Sequence, residues 1–281
     1  MKTCLVLEGG GLRGIYTAGV LDEMLKDNLK IDAIIGVSMG ALIGINCKSK
    51  QPERAIRYNL KYCNDKRYMG FHSLIKTGNI ANKEFAYYKL PNELDKFDYN
   101  TYEKSKIKMY VTVTNLETGE AEYIEVDDAK EGIEYFRASS SMPGVSRIVE
   151  IEGNKYLDGG VADSIPVQKA LELGYDRIIV VLTRPIEYRK KITEMKWLQT
   201  RYKNYPKFKK TIATRNKNYN STVEEIIKLE KSNKIFCIRP SKSIKIKRIE
   251  KDERIILEQY NLGKNDYLNI KENLLIYLKR K

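Results

Sequence analysis

Cys4-Leu5-Val6-Leu7-Glu8-Gly9-Gly10-Gly11-Leu12-Arg13-Gly14 and Ala33-Ile34-Ile35-Gly36-Val37-Ser38-Met39-Gly40 decide the fold. Each is an apolar run that stops at glycines. Neither run alternates with polar residues, which is the pattern of a parallel strand buried on both faces. Between them, Ile15, Ala18, Gly19, Leu21, Met24 and Leu25 recur at helical spacing over residues 12–27. A second, small-residue helix runs from Met39 to about Cys47. Strand, helix, strand, helix in this order predicts a right-handed βαβ unit. The fold class it implies is α/β, a three-layer α/β/α sandwich with a mainly parallel central sheet.

The same periodicities carry the reading outward. Residues 51–105 read as mostly helical, with breaks at Pro52, Gly70, Gly78 and Pro91. Residues 107–114 and 121–126 read as a hairpin, and 148–151 and 155–157 as a shorter one about Gly153-Asn154. A helix is expected over 131–139 and another from Pro166 to Leu173, closed by Gly174. Residues 177–183 form an apolar strand and 234–238 a late one. Helices are expected at 190–203, 221–232, 252–260 and 266–279. No repeat or low-complexity linker divides the chain. The expectation is one domain over 1–281, carrying a basic helical appendage at about 188–232.

Hydrophobic residues at 42% and charged residues at 31% suit a soluble globular protein. Met1-Lys2-Thr3 runs straight into a strand, and no apolar stretch approaches the roughly 20 residues needed to span a bilayer. The expected location is cytoplasmic, with peripheral contact at the inner face of the membrane left open. Cysteines 4, 47, 63 and 237 form no CxxC pair, so neither a zinc site nor a redox pair is suggested.

The charge of +14 is unevenly placed: residues 1–187 are net −2 and residues 188–281 net +16. Between Tyr188 and Asn220 stand eleven basic residues and one acid, Glu194. Such a segment either solvates ordinary helices or meets an anionic partner. Trp197, Tyr202, Tyr205 and Phe208 interleave with Lys196, Arg201, Lys203 and Lys207, which suits a lipid headgroup region or single-stranded nucleic acid. Lipid is favoured over nucleic acid, because it gives this segment and the motifs one purpose.

Gly9-x-Gly11-x-x-Gly14 also matches a dinucleotide fingerprint, with Asp32 about 20 residues on. The acid of that fingerprint caps the end of the second strand, whereas Asp32 precedes it and Ser38 holds the end. Gly36-Val37-Ser38-Met39-Gly40 is instead the GxSxG pattern of a serine nucleophile on a sharp strand-to-helix turn. The helix that follows offers free N–H groups and positive partial charge. The glycine loop at 9–11 can offer more. A serine hydroxyl also needs a base. The chain has a single histidine, His72, in a loop-like segment. The competing candidate is Asp158 in Leu157-Asp158-Gly159-Gly160, 120 residues beyond Ser38. An aspartate of reference pKa about 3.9 is a weak base in water, but partial desolvation strengthens it.

Gly9-Gly10-Gly11-Leu12-Arg13-Gly14, Gly36-Val37-Ser38-Met39-Gly40 and Asp158-Gly159-Gly160, in that order, resemble the three signature blocks of patatin-like phospholipases. Arg137-Ala138-Ser139-Ser140-Ser141-Met142-Pro143 and Asp163-Ser164-Ile165-Pro166 fit as well. The resemblance covers residues 1–185 well and the rest loosely. It implies a patatin-like α/β/α fold and hydrolysis of lipid or phospholipid acyl esters, without metal or cofactor. It implies Ser38 as nucleophile, Asp158 as base, and Gly9, Gly10 and Gly11, joined by Met39, as the oxyanion hole. Arg13 stands at the family's usual basic position, and Gly14, Gly36, Gly40, Gly159 and Gly160 complete the motifs. Gly160 replaces the alanine of many members. The alternative reading is a protein that binds anionic membrane or nucleic acid and carries a degenerate hydrolase site.

Overall fold

β1 (Thr3–Leu7) and β2 (Ala33–Val37) lie parallel at the centre of a computed structural model that describes residues 1–193 and 196–280. All ten residues of the two strands are buried. α1 (Ile15–Lys26) joins them and α2 (Met39–Lys48) leaves β2. α3 (Arg54–Tyr62), α4 (Phe71–Thr77), a π-type helix at Glu84–Leu94 and α5 (Tyr99–Lys104) lead to β3 (Lys108–Asn115). β4 (Ala121–Glu125), α6 (Ile133–Ser139), β5 (Val149–Ile151), β6 (Asn154–Asp158), α7 (Val167–Glu172) and β7 (Arg177–Val181) follow. α8 (Lys196–Arg201), α9 (Pro206–Lys231), β8 (Phe236–Ile238) and α10 (Glu253–Lys279) complete the described chain.

The strands form one sheet in the order β5-β6-β3-β2-β1-β7-β8, with β4 also on β3. β3, β2, β1, β7 and β8 run parallel, while β4, β5 and β6 are antiparallel additions. This is an α/β fold with a mixed, mainly parallel sheet flanked by helices. Side chains of β1 alternate between two cores, as the period of a strand requires. Leu5 and Leu7 pack with Ile15, Tyr16, Ile256 and Tyr260 on the α1 and α10 side. Cys4 and Val6 pack with Val167, Ala170, Val223 and Ile226 on the α7 and α9 side.

β3 determines how the motifs meet. β4 covers one of its edges along Tyr110–Thr114, so β2 and β6 must share the other. Thr112 pairs with Val37, and the next residue, Val113, pairs with Asp158. The ends of β2 and β6 therefore abut.

Several expected boundaries shift. Residues 190–193 are not helical, residues 194–195 of the expected 190–203 helix lie outside the described residues, and α8 covers 196–201. α9 is one 26-residue helix rather than a shorter one starting at 221. Its Phe208, Ile212, Tyr219, Val223 and Ile226 are buried, so the segment read as an appendage contributes to the cores. Pro91 lies inside its helix instead of ending it. The break expected between 260 and 266 is absent, and α10 runs on through Gly263. That glycine serves contact, not termination. A Cβ on Gly263 would run into the carbonyl of Tyr16, and one on Gly19 into the carbonyl of Tyr260. Bare backbone on both helices lets α1 and α10 approach closely.

Candidate active site

Ser38 stands between β2 and α2 with φ 54° and ψ −123°. Positive φ is uncommon for a serine and persists only where the surroundings hold it. Two constraints do so here. The Ser38 N–H donates to Ser139 Oγ at 2.8 Å, and the Ser38 carbonyl accepts from the N–H groups of Ala41 and Leu42. Gly40 completes the turn: a Cβ there would lie 2.5 Å from the Leu7 carbonyl, so only glycine lets α2 start this close to β1. A Cβ on Gly36 would press on Ala41 in the same way.

Asp158 closes β6 directly opposite. Ser38 Oγ donates to Asp158 Oδ2 at 3.1 Å, while Asp158 Oδ1 accepts from the Gly160 N–H at 2.8 Å. Its backbone is fixed as well, N–H to the Ser141 carbonyl and carbonyl to Thr114 Oγ1, both 2.9 Å. Gly159 lies tight on the Thr112 carbonyl. Burial raises the Asp158 pKa above the ordinary aspartate value, against the opposing pull of the Arg215 cation and the two hydrogen bonds. His72 is exposed on α4. Among the described residues the hydrogen-bonding partner of Ser38 Oγ is Asp158 alone.

The glycine loop arrives at the same point from β1. A Cβ on Gly9 would lie 3.2 Å from Ser38 Cβ. Its N–H already donates to the Ser164 carbonyl at 3.3 Å, which removes Gly9 from the donors expected to be free. Among the described residues no acceptor takes the N–H of Gly10, Gly11 or Met39. Gly11 has φ +59°, with the Arg248 backbone packed against it. Gly14 packs on the Met39 side chain. Asp32, the acid of the dinucleotide fingerprint, accepts from the Thr3 N–H at the far end of the strands.

Two cavities meet at Ser38 and share Gly11, Met142 and Arg248. One, about 120 Å³, is mainly apolar, with Leu42, Ile45, Ala86, Leu90, Phe97 and Ile133 among its lining. Its lining includes Met69 and Ala81, paired as an isolated antiparallel β-bridge, and the rim loop between them carries α4 with Phe71 and Ile75 exposed. The other, about 190 Å³, is polar and lined by Arg13, Arg184, Lys190, Lys191, Arg215 and Arg248, with Glu8 and Asp158 as its carboxylates. Sequence reading singled out Arg13 and Asp158 but missed the other cations and Ser139. Ser139 lay inside a quoted motif, but nothing local assigns it to the Ser38 N–H.

The aromatic stripe read from the basic segment is only partly available. Tyr202 and Phe208 are buried with Leu116, Leu157 and Val161, and Tyr205 packs beside them. Trp197 alone of the four is largely exposed, at 63%. Among the described residues no helix is long and apolar enough to cross a membrane, and no group of three His, Cys, Asp or Glu could hold a metal ion.

A family model described as patatin-like phospholipase matches residues 5–171. A second, described as a domain of unknown function (DUF6363), matches residues 205–279. The uncharacterized protein YjjU of Escherichia coli is 30% identical over 200 residues, covering 66% of this chain and 52% of YjjU. Lysophospholipase nte1 of Neurospora crassa is 29% identical over 183 residues, covering 63% of this chain and 12% of that protein. Lysophospholipase NTE1 of Cryptococcus neoformans is 31% identical over 185 residues, covering 63% and 11%. The chain thus spans about half the length of YjjU and about a tenth of the fungal proteins. With the match spanning all three signature blocks, the chain belongs to the patatin-like phospholipase family.

Proposed function

We propose that this chain is a serine acyl hydrolase that cleaves fatty acyl esters of lipids through a Ser38–Asp158 dyad. The observation that carries the reading is the 3.1 Å hydrogen bond from Ser38 Oγ to Asp158 Oδ2, made at a positive-φ turn where free N–H groups and an apolar cavity converge. Ser38 Oγ attacks the ester carbonyl carbon as its proton passes to Asp158 Oδ2. The N–H groups of Gly10, Gly11 and Met39 receive the oxyanion. The tetrahedral adduct collapses, and Asp158 returns the proton to the departing alcohol oxygen. Water, deprotonated by Asp158, then attacks the acyl-Ser38 ester, and Asp158 returns the proton to Ser38 Oγ as the fatty acid is released.

The apolar cavity takes the acyl chain. Phe71 and Ile75, exposed on the rim loop, dip into the aggregate or bilayer that holds the lipid. The fungal relatives are named lysophospholipases, which supports a monoacyl lipid as substrate here. The test is fluorophosphonate labelling with peptide mapping, joined to hydrolysis of p-nitrophenyl butyrate by wild type, Ser38→Ala, Asp158→Asn and His72→Ala. Label on Ser38, and a loss of about a thousand-fold or more in Ser38→Ala and Asp158→Asn, is expected. Loss in His72→Ala with activity kept in Asp158→Asn would sink the dyad.

A further inference from the structure

The polar cavity beside Ser38 carries six cationic side chains against two carboxylates. Neither carboxylate is given over to the cations. Glu8 accepts from the Thr183 N–H at 2.5 Å, from Thr183 Oγ1 at 3.0 Å and from the Tyr219 hydroxyl at 2.9 Å, all neutral donors. Asp158 holds Ser38 and the Gly160 N–H. Among the described residues none of Arg13, Arg184, Lys190, Lys191, Arg215 and Arg248 forms a salt bridge. Arg13 Nε is buried with no hydrogen-bond partner. A buried donor left without an acceptor is costly, and an anion in this cavity would supply one.

Part of the cluster is held in place, while Lys191 and Arg248 remain exposed. Asn220 accepts from the Lys190 N–H at 2.8 Å and donates to its carbonyl at 2.9 Å, and Asn216 donates to the Lys191 carbonyl at 2.8 Å. α9 thereby clamps the 190–191 backbone. Lys190 Nζ lies 3.6 Å from the centre of the Tyr219 ring. Arg215 Nε donates to the Gly160 carbonyl at 2.7 Å, tying the cluster to the residue whose N–H holds Asp158. Burial, with Arg215, Arg248 and Arg13 close by and Glu8 opposing, pulls the Lys190 ammonium down to about 7. Burial and the neighbouring Arg184 and Arg248, against the opposing pull of Glu8 and Tyr188, bring Arg13 down to about 10. Glu8 and Asp158 offset part of this charge, and six cations against two carboxylates leave positive charge in excess.

We propose that this cavity is the headgroup pocket, and that the lipid it selects bears a phosphate monoester. This rests on Ser38 being the acyl-transfer nucleophile, since the acyl chain and the headgroup then occupy the two cavities that meet there. A phosphate dianion offers several charge-assisted acceptors to guanidinium and ammonium donors. A phosphocholine would bring a fixed cation among like charges.

The probe is an ether-linked hexadecyl glycerol phosphate, which cannot be hydrolysed, measured by calorimetric titration against the matching ether-linked glycerophosphocholine. The phosphate lipid is expected to bind at least about ten-fold more tightly. Lys190→Met and Lys191→Met should each weaken it by about ten-fold, while Lys231→Met, removing an exposed charge outside the cavity, should not. Equal affinity for the two lipids, or equal loss in Lys231→Met, would overturn the pocket. Inorganic phosphate binding as tightly as the phosphate lipid would make this a free-anion site and overturn the headgroup assignment. Tight binding without turnover of the ester-linked counterpart would instead defeat the hydrolase reading, and the titrations would still decide the pocket.

Discussion

Val37 and Asp158 meet end to end along one edge of β3, paired with its adjacent residues Thr112 and Val113. The end of β2, which leads into Ser38, and the end of β6, which carries Asp158, are therefore placed on β3 residues one peptide unit apart, about 3.8 Å between their Cα atoms. Loops do not set this placement. Asp158→Glu keeps the carboxylate but adds a methylene to a frame that cannot yield. Its kcat/KM on p-nitrophenyl butyrate should fall by about a hundred-fold or more. A value within about ten-fold of wild type would show that the frame adapts.

Burial raises the Asp158 pKa, and the proposed base works only when ionised. The acid limb of kcat/KM should therefore have its midpoint above the ordinary aspartate value. The sign for stability is opposite. With the folded pKa above the unfolded one, the contribution of Asp158 is fully present below the unfolded pKa and is lost as pH rises through the folded value. Asp158→Asn avoids that loss. Its melting temperature should exceed that of wild type at about pH 8, and the gap should narrow on acidification. A gap independent of pH would contradict the burial argument.

Ser139 Oγ accepts the buried N–H of Ser38. Ser139→Ala leaves that donor unsatisfied, at a cost of about 1–3 kcal/mol. The positive-φ turn loses one of its restraints, so kcat should drop more than KM rises. Urea denaturation and steady-state kinetics on the same preparations check both effects. Unchanged stability with unchanged kcat would remove Ser139 from the account.

Gly19 and Gly263 each face a backbone carbonyl of the other helix. Gly19→Ala and Gly263→Ala should each destabilise by about 1–3 kcal/mol through overpacking, seen as a lower urea midpoint. Higher intrinsic helix propensity of alanine would favour the opposite sign by about 1 kcal/mol. A raised midpoint would mean that the two helices separate freely.

The parallel strands and the turn at Ser38 were legible because their signals are local: apolar runs, glycines and helical spacing. Asp158 was legible as a candidate because the scarcity of histidine narrowed the choice. Lys190, Arg215 and Arg248 were hidden in a lysine-rich background, since only tertiary packing distinguishes a cavity wall from a solvated face. Tyr202 and Phe208 misled for the related reason that an aromatic among lysines has the same sequence pattern whether it faces solvent or covers Leu157. The break expected between 260 and 266 is absent because Gly263 there serves contact with α1, which shows only once the partner helix is known.

The packing of α1 against α10 also orders the history of the molecule. The motif blocks all lie within residues 9–160 and can leave the ribosome early. Yet Tyr16 and Ile15 have no cover for their outer side until residues 253–279 have been made. The nucleophile turn is thus made before this face of the core can close. Removing α10 would leave every signature block in place and open the α1 face of the core to solvent.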